Sequence, residues 1–153
     1  MNSNVPPKLI ERLEELVDAS FSGRDELYAA AKTLDDHRRS NVCKQLADHL
    51  ASHAIELQQL LSVNGKEPPQ PLNMFSIAEV FFQLAMNRNG ESEVLRFAER
   101  CERTVKERFE AVIDIAPKGD TSAILQRQRD DIEFGEQVLQ SMQDPPKTQS
   151  PNE

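Results

Sequence analysis

The sequence predicts an all-α chain folded as an antiparallel four-helix bundle, with one long crossover that carries a short extra helix. Three observations predict it. Apolar residues recur at three-and-four spacing through every long segment, the period of one helix face. Leu, Ala, Glu, Gln and Arg dominate the composition, and these lose little side-chain freedom in a helix. Clusters of Pro and Gly, with a turn at Asp35-Asp36-His37, divide the 153 residues into four long stretches and one short one.

The first stretch carries Leu9, Leu13, Leu16, Val17, Ser20, Leu27, Ala31 and Leu34 on one stripe, with Pro6-Pro7 before it and a bend expected at Ser22-Gly23. Asp35-Asp36-His37 reads as a turn. The second stretch carries Val42, Leu46, Leu50, Leu57 and Leu60. Asn64 to Pro71 must be a connection, because Pro68, Pro69 and Pro71 block both helix and strand. The short third helix is expected from about Asn73 to Met86, opening on the capping-box pattern Ser76-x-x-Glu79. Asn87 to Gly90 is read as a break. Val94, Ala98, Cys101, Val105, Phe109 and Val112 mark the fourth stretch. Pro117 to Asp120 is another break, with Asp120, Thr121 or Ser122 as N-cap. Leu125, Ile132, Leu139 and Met142 mark the fifth. Four of the helices should run about 24 to 27 residues, close to 40 Å each. Rods of similar length joined by short turns pack antiparallel. The domain is expected to span 9–143, between a flexible N-terminus at 1–8 and a disordered polar tail at 144–153.

Eighteen basic against 26 acidic side chains leave a net charge of −8, a field that repels phosphate backbones and anionic lipid. Nucleic acid and membrane are therefore excluded as first partners. No stretch reaches the roughly 20 apolar residues of a membrane helix, and the start shows no signal-peptide pattern. Cys43 and Cys101, with no C-x-x-C, read as two reduced buried thiols of a cytoplasmic protein.

Chemistry in a helical bundle is built from polar side chains that point inward. His53 falls on the seam Leu46, Leu50, Leu57, Leu60; Glu56 stands at its edge, and Glu102 lies between Ala98 and Val105. These three are the candidate metal ligands, and the structural alternative is a hydrogen-bonded layer that fixes helix register. Gln128 reads as a core amide with Gly135 on the same face. Phe21, Tyr28, Phe97 and Phe109 read as core aromatics. Arg96, Arg100 and Arg103 share an outer face with Glu99 and Glu107, the pattern of a solvated, ion-paired surface. No nucleophile elbow and no Gly-rich phosphate loop occur.

Ala54-Ile55-Glu56-Leu57-Gln58, Cys101-Glu102-Arg103 with Phe109-Glu110-Ala111, and Ser22 to Ala31 carry a resemblance over about residues 9 to 142. The chain resembles a bacterial ferritin-like four-helix family of unknown function (domain of unknown function 2383), within the ferritin-like superfamily. That resemblance implies a ferritin-like bundle and raises a di-iron centre. Such a centre takes a Glu from each of two helices and Glu-x-x-His from each of the other two. Here Leu34, Leu46 and Leu50 stand three residues before His37, His49 and His53, and no Glu-x-x-His exists. Gly135-Glu136 occupies the region where that family often has His-Asp. The expectation is a non-enzymatic bundle with no cofactor, acting through a protein partner or as a homo-oligomer, in stress physiology. The alternative is an iron- or manganese-binding redox bundle using His53, Glu56 and Glu102. A third reading is a small-molecule or lipid cavity opened by the third helix with Val80, Phe81 and Phe82, residues that otherwise cap the core.

Overall fold

The computed structural model describes residues 6–67 and 73–143. They form five helices: α1 (Pro7–Thr33), α2 (His37–Val63), α3 (Phe75–Asn89), α4 (Glu91–Ile115) and α5 (Asp120–Ser141). The described residues contain no strand. The expected tail and the middle of the Pro-rich connection, 68–72, lie outside them.

Residue contacts across the structure fix the directions. Leu34–Asp36 folds α2 back on α1, and Asp36 caps α2 by accepting from the Arg39 amide at 2.9 Å. Ala116–Gly119 folds α5 back on α4. Glu91, in the first turn of α4, accepts from the Asp35 and Asp36 amides at 2.7 and 2.9 Å, so α4 begins where α1 ends. Leu46 meets Gly135 while Gln128 reaches the His53 carbonyl, so α2 and α5 also run in opposite directions. α3 runs beside α1 in the same direction: the Met74 amide donates to Asp25 at 2.9 Å, and Lys32 pairs with Glu79.

The core collects the stripes named above: Leu9, Leu13, Leu16, Val17 and Leu27 from α1, Leu46, Leu50 and Leu57 from α2, Val105, Phe109 and Val112 from α4, and Leu125, Ile132 and Leu139 from α5. A fully buried Leu or Ile contributes about 1.5–3 kcal/mol, so this cluster outweighs any single polar contact. Among the described residues, no helix is long and apolar enough to cross a membrane.

Several boundaries differ from the sequence expectation, each for a local reason. α1 starts at Pro7, inside the expected flexible terminus, because Pro needs no amide partner in a first turn. It continues through Gly23 without a break, and Gly23 is where Leu50 and Val105 approach the backbone. Ser76 lies inside α3 and caps nothing; the Asn73 side chain takes the Phe75 amide at 3.1 Å instead. The break expected at Asn87 shrinks to Gly90, whose φ of 79° only glycine adopts readily. Asp120 is the first residue of α5 and follows Gly119, so none of the three expected caps acts as one. α5 has 22 residues, shorter than the expected range.

Candidate functional site

The inward polar residues fall on two levels. On the first, His53 is 5% exposed and its Nε2 stands 3.7 Å from Oδ2 of exposed Asp131. Burial lowers the imidazole pKa, with Asp131 pulling the other way, so the ring is neutral at pH 7. Fully buried Gln128 donates to Glu56 Oε1 at 2.8 Å and to the His53 carbonyl at 3.4 Å. Half-buried Glu56 also accepts from Arg127 at 2.5 Å. Burial pushes the Glu56 carboxyl up, but the bonds from Gln128 and Arg127 outweigh it and hold the group below its usual value. Glu56 is thus an ionised, doubly engaged acceptor. The core-amide reading of Gln128 holds for its NH2 group; its Oε1 has no partner among the described residues.

On the second level, Glu102 is 2% exposed. Its carboxyl lies over Gly135, so close that a Cβ there would sit 2.3 Å from Glu102 Oε2 and 2.9 Å from Leu46 Cδ2. Burial and neighbouring Glu136 push the Glu102 pKa up to about 8, so the group is mostly protonated at pH 7. Glu136 is held charged: burial raises its pKa, but Lys106 at 2.7 Å and Arg103 at 2.9 Å lower it below the usual value. Arg103 also binds buried Glu99 at 2.6 Å. Cys43 is fully buried, and burial with Glu102 nearby pushes its thiol to about 12. The half-exposed Cys101 bonds to Glu26, with its pKa raised by burial and by that carboxylate. Both cysteines are free thiols.

The three candidate ligands therefore split. Glu56 stands at the level of Gln128 and the His53 ring at that of Asp131, while Glu102 sits at Gly135, seven and four residues further along α5, about 10 and about 6 Å. A shared ion needs all ligands within about 2.2 Å of one point. Among the described residues, no three His, Cys, Asp or Glu side chains gather into a group that could hold a metal. Glu102 also presents a protonated carboxyl, a poor ligand until ionised.

A surface groove lies apart from both levels. A groove of about 800 Å³ runs between α1 and α4, with the edge of α3 closing its upper end. α1 supplies Glu15, Asp18, Ala19, Ser22, Gly23 and Glu26; α4 supplies Phe97, Arg100, Cys101, Thr104, Val105 and Arg108. Both sets step i, i+3, i+4, i+7, i+8, i+11, so each is one continuous helix face. A hollow of about 380 Å³ between Lys8, Arg12, Leu16, Ala111, Val112 and Ile115 continues the groove downward. Phe97 is half-buried, with Phe81 edge-on at a 4.8 Å centroid distance and Arg100 over its outer side at 4.9 Å. Arg100 thus rests on a ring where the sequence suggested a salt bridge.

α3 borders this groove, and its composition is unusual. Ala78, Phe82 and Ala85 face inward, yet Ile77, Val80, Phe81 and Leu84 are exposed by 66, 62, 45 and 58%. The sequence offered Val80, Phe81 and Phe82 either as the wall of a cavity or as a cap on the core; Phe82 is buried in the core, Phe81 and Phe82 line the groove, and Val80 is exposed outside it. Buried Asp25, which binds Met74, went unread in the sequence; Glu26, off the apolar stripe, stands in the groove wall. The acidic flank of the α1 stripe carried that signal. No protein-family model matches the chain, and no curated protein matches it either.

Proposed function

We propose that the chain is a ferritin-like helical bundle that acts by protein–protein contact, not by catalysis, and that the outward face of α3 is its contact surface. One observation carries this reading. Ile77, Val80, Phe81 and Leu84 are spaced i, i+3, i+4, i+7 and stay exposed, Phe81 with one edge on Phe97 of α4, the anchor pattern of a helix laid against a groove. A surface helix ordinarily puts polar residues on its outer side, and a helix apolar all round is ordinarily covered. α3 is apolar on both sides and covered on one. Contiguous apolar surface of this kind marks association sites. The up-down pairing of α1 with α2 and of α4 with α5, with a crossover from the end of α2 to the start of α4, supports the ferritin-like assignment.

The test replaces Val80 and Leu84 together by Lys, both on the solvent side. Sedimentation velocity of the pure protein and affinity capture from native lysate are compared with and without the substitution. Self-association or a captured partner that the double variant loses supports the reading. A strictly monomeric protein that captures nothing sinks it.

A further inference from the structure

Resting on that reading, we propose that the partner is a second copy of this chain, whose α3 lies in the open lower half of the α1/α4 groove, reciprocally across a two-fold axis. Own-chain cover is the first alternative to remove. The stretches 1–5, 68–72 and 144–153 carry only Met1, Val5 and Leu72 as large apolar residues, too few to cover four anchors.

The groove has the right length. α3 has 15 residues, about 22 Å of helix. It starts beside Asp25 and occupies only the upper part of the α1/α4 junction. Below it, from Gly23 to Lys8, α1 offers a further fifteen steps, again about 22 Å. The floor there is small or apolar: Leu16, Ala19, Gly23, Val105, Ala111 and Val112, with Ile115 exposed at the lower end. Small side chains let a second helix approach to the 8–10 Å of ordinary packing.

The charges choose the direction. A two-fold axis perpendicular to the helices at the level of Met74 turns the second α3 upside down, with its N-terminus at mid-groove and its C-terminus at the bottom. Mid-groove carries Glu15, Asp18 and Glu26 against Arg100 and Arg108, a net negative lining that favours the positive end of a helix. The bottom carries Lys8, Arg12 and Arg108 against Glu15, which pairs with Arg12, a net positive lining that favours the negative end. Each α3 is then sandwiched, with Ala78, Phe82, Ala85 and one edge of Phe81 on its own chain and the exposed surface of Ile77, Val80, Phe81 and Leu84 on the partner. The contact is isologous and closes at two copies.

The experiment is sedimentation equilibrium on the full chain. Wild type should sediment at twice the 17.3 kDa chain mass. Val80→Lys with Leu84→Lys spoils the anchors; Ala111→Glu spoils the groove at an exposed position. Each should weaken self-association about 30-fold or more, the loss that one interfacial hot spot carries, with helical circular dichroism unchanged. Mixing the two variants should restore a heterodimer through the one contact left intact, α3 of the groove variant in the groove of the anchor variant. A dimer indifferent to either variant overturns the proposal, as does a mixture that stays monomeric. A monomeric wild type whose lysate partner is lost with the anchors overturns self-docking but keeps the contact reading. A monomer without any partner overturns both.

Discussion

Replacing Glu102 by Gln should make the protein more stable at alkaline pH and leave it nearly unchanged in mild acid. The carboxyl is buried against Gly135 with Glu136 close by, and its pKa rises from 4.5 to about 8. For an acid whose folded pKa is raised, the native state holds a proton that the unfolded chain releases. Stability therefore falls as pH climbs from the unfolded value through the folded one. At about 1.4 kcal/mol per unit, the penalty grows to roughly 4–5 kcal/mol above pH 8, and to roughly 3 at pH 7. Gln keeps the shape and has no proton to lose. The assay is urea unfolding of both proteins at about pH 5 and about pH 9. With a slope of about 2 kcal/mol per molar urea, the midpoint difference between them should change by about 2 M across that range. Groups titrating in both proteins cancel in this comparison. A midpoint difference that stays flat with pH would refute a buried, protonated Glu102.

Gly135→Ala should destabilise by about 1–3 kcal/mol, because the new methyl meets Glu102 Oε2 at 2.3 Å and Leu46 Cδ2 at 2.9 Å in a filled core. That loss should exceed the gain of about 1 kcal/mol that Ala brings to a helix, and Glu102→Ala in the same chain should relieve part of it in a double-mutant cycle. His53 is buried neutral with its pKa lowered, so the unfolded chain takes the proton first and stability should fall as pH drops below about 6.5. His53→Gln should remove that acid limb from the unfolding midpoints. Anaerobic reconstitution with iron(II) and manganese(II), followed by elemental mass spectrometry, should find no stoichiometric metal, since His53 with Glu56 and Glu102 stand on separate levels. One or two metals per chain, lost in His53→Ala, would restore the metal-binding alternative.

The helix count, the long stripes and the place of the crossover were legible because each rests on local rules, apolar period and Pro/Gly punctuation. The caps were not. Ser76-x-x-Glu79 is a real start pattern, but Asn73 stands three residues earlier and takes the amide first. Asn87-Arg88-Asn89 looks like a break, yet Arg88 and Asn89 both hydrogen-bond to buried Glu93, which keeps them helical until Gly90. His53 and Glu102 were legible as inward residues from their stripes. Their separation was not, since a stripe gives the face of a helix and not its height against a neighbour. The protonation of Glu102 depends on Gly135 and Glu136 of another helix, and no pattern within α4 contains them. For α3, periodicity could not say which of two apolar faces meets the core.

The two polar levels and the outer groove are linked through α4. Glu102 can be buried only where the facing helix has no side chain, and in α5 that place is Gly135 alone. Sliding α5 by one turn would set Glu102 against Asp131 or Leu139, a second carboxylate or a filled core position. The match is steric, so it holds with the carboxyl neutral, as its raised pKa requires. Gln128 does the same for α2 against α5, since its NH2 group finds Glu56 and the His53 carbonyl only in one register. α4 carries Glu102 on its inner face and Thr104, Arg108 and Ala111 on its outer one. Fixing its height against α5 therefore fixes the height of the groove wall that the proposed α3 of a second copy would meet. A register error would misalign that wall with α1 and close the floor at Gly23, where Val105 already stands 3.1 Å from the position of a Cβ. On this argument the buried polar groups serve the contact surface by position. Glu102→Gln should thus leave self-association unchanged while altering stability, whereas Gly135→Ala, which shifts α4 against α5, should weaken both.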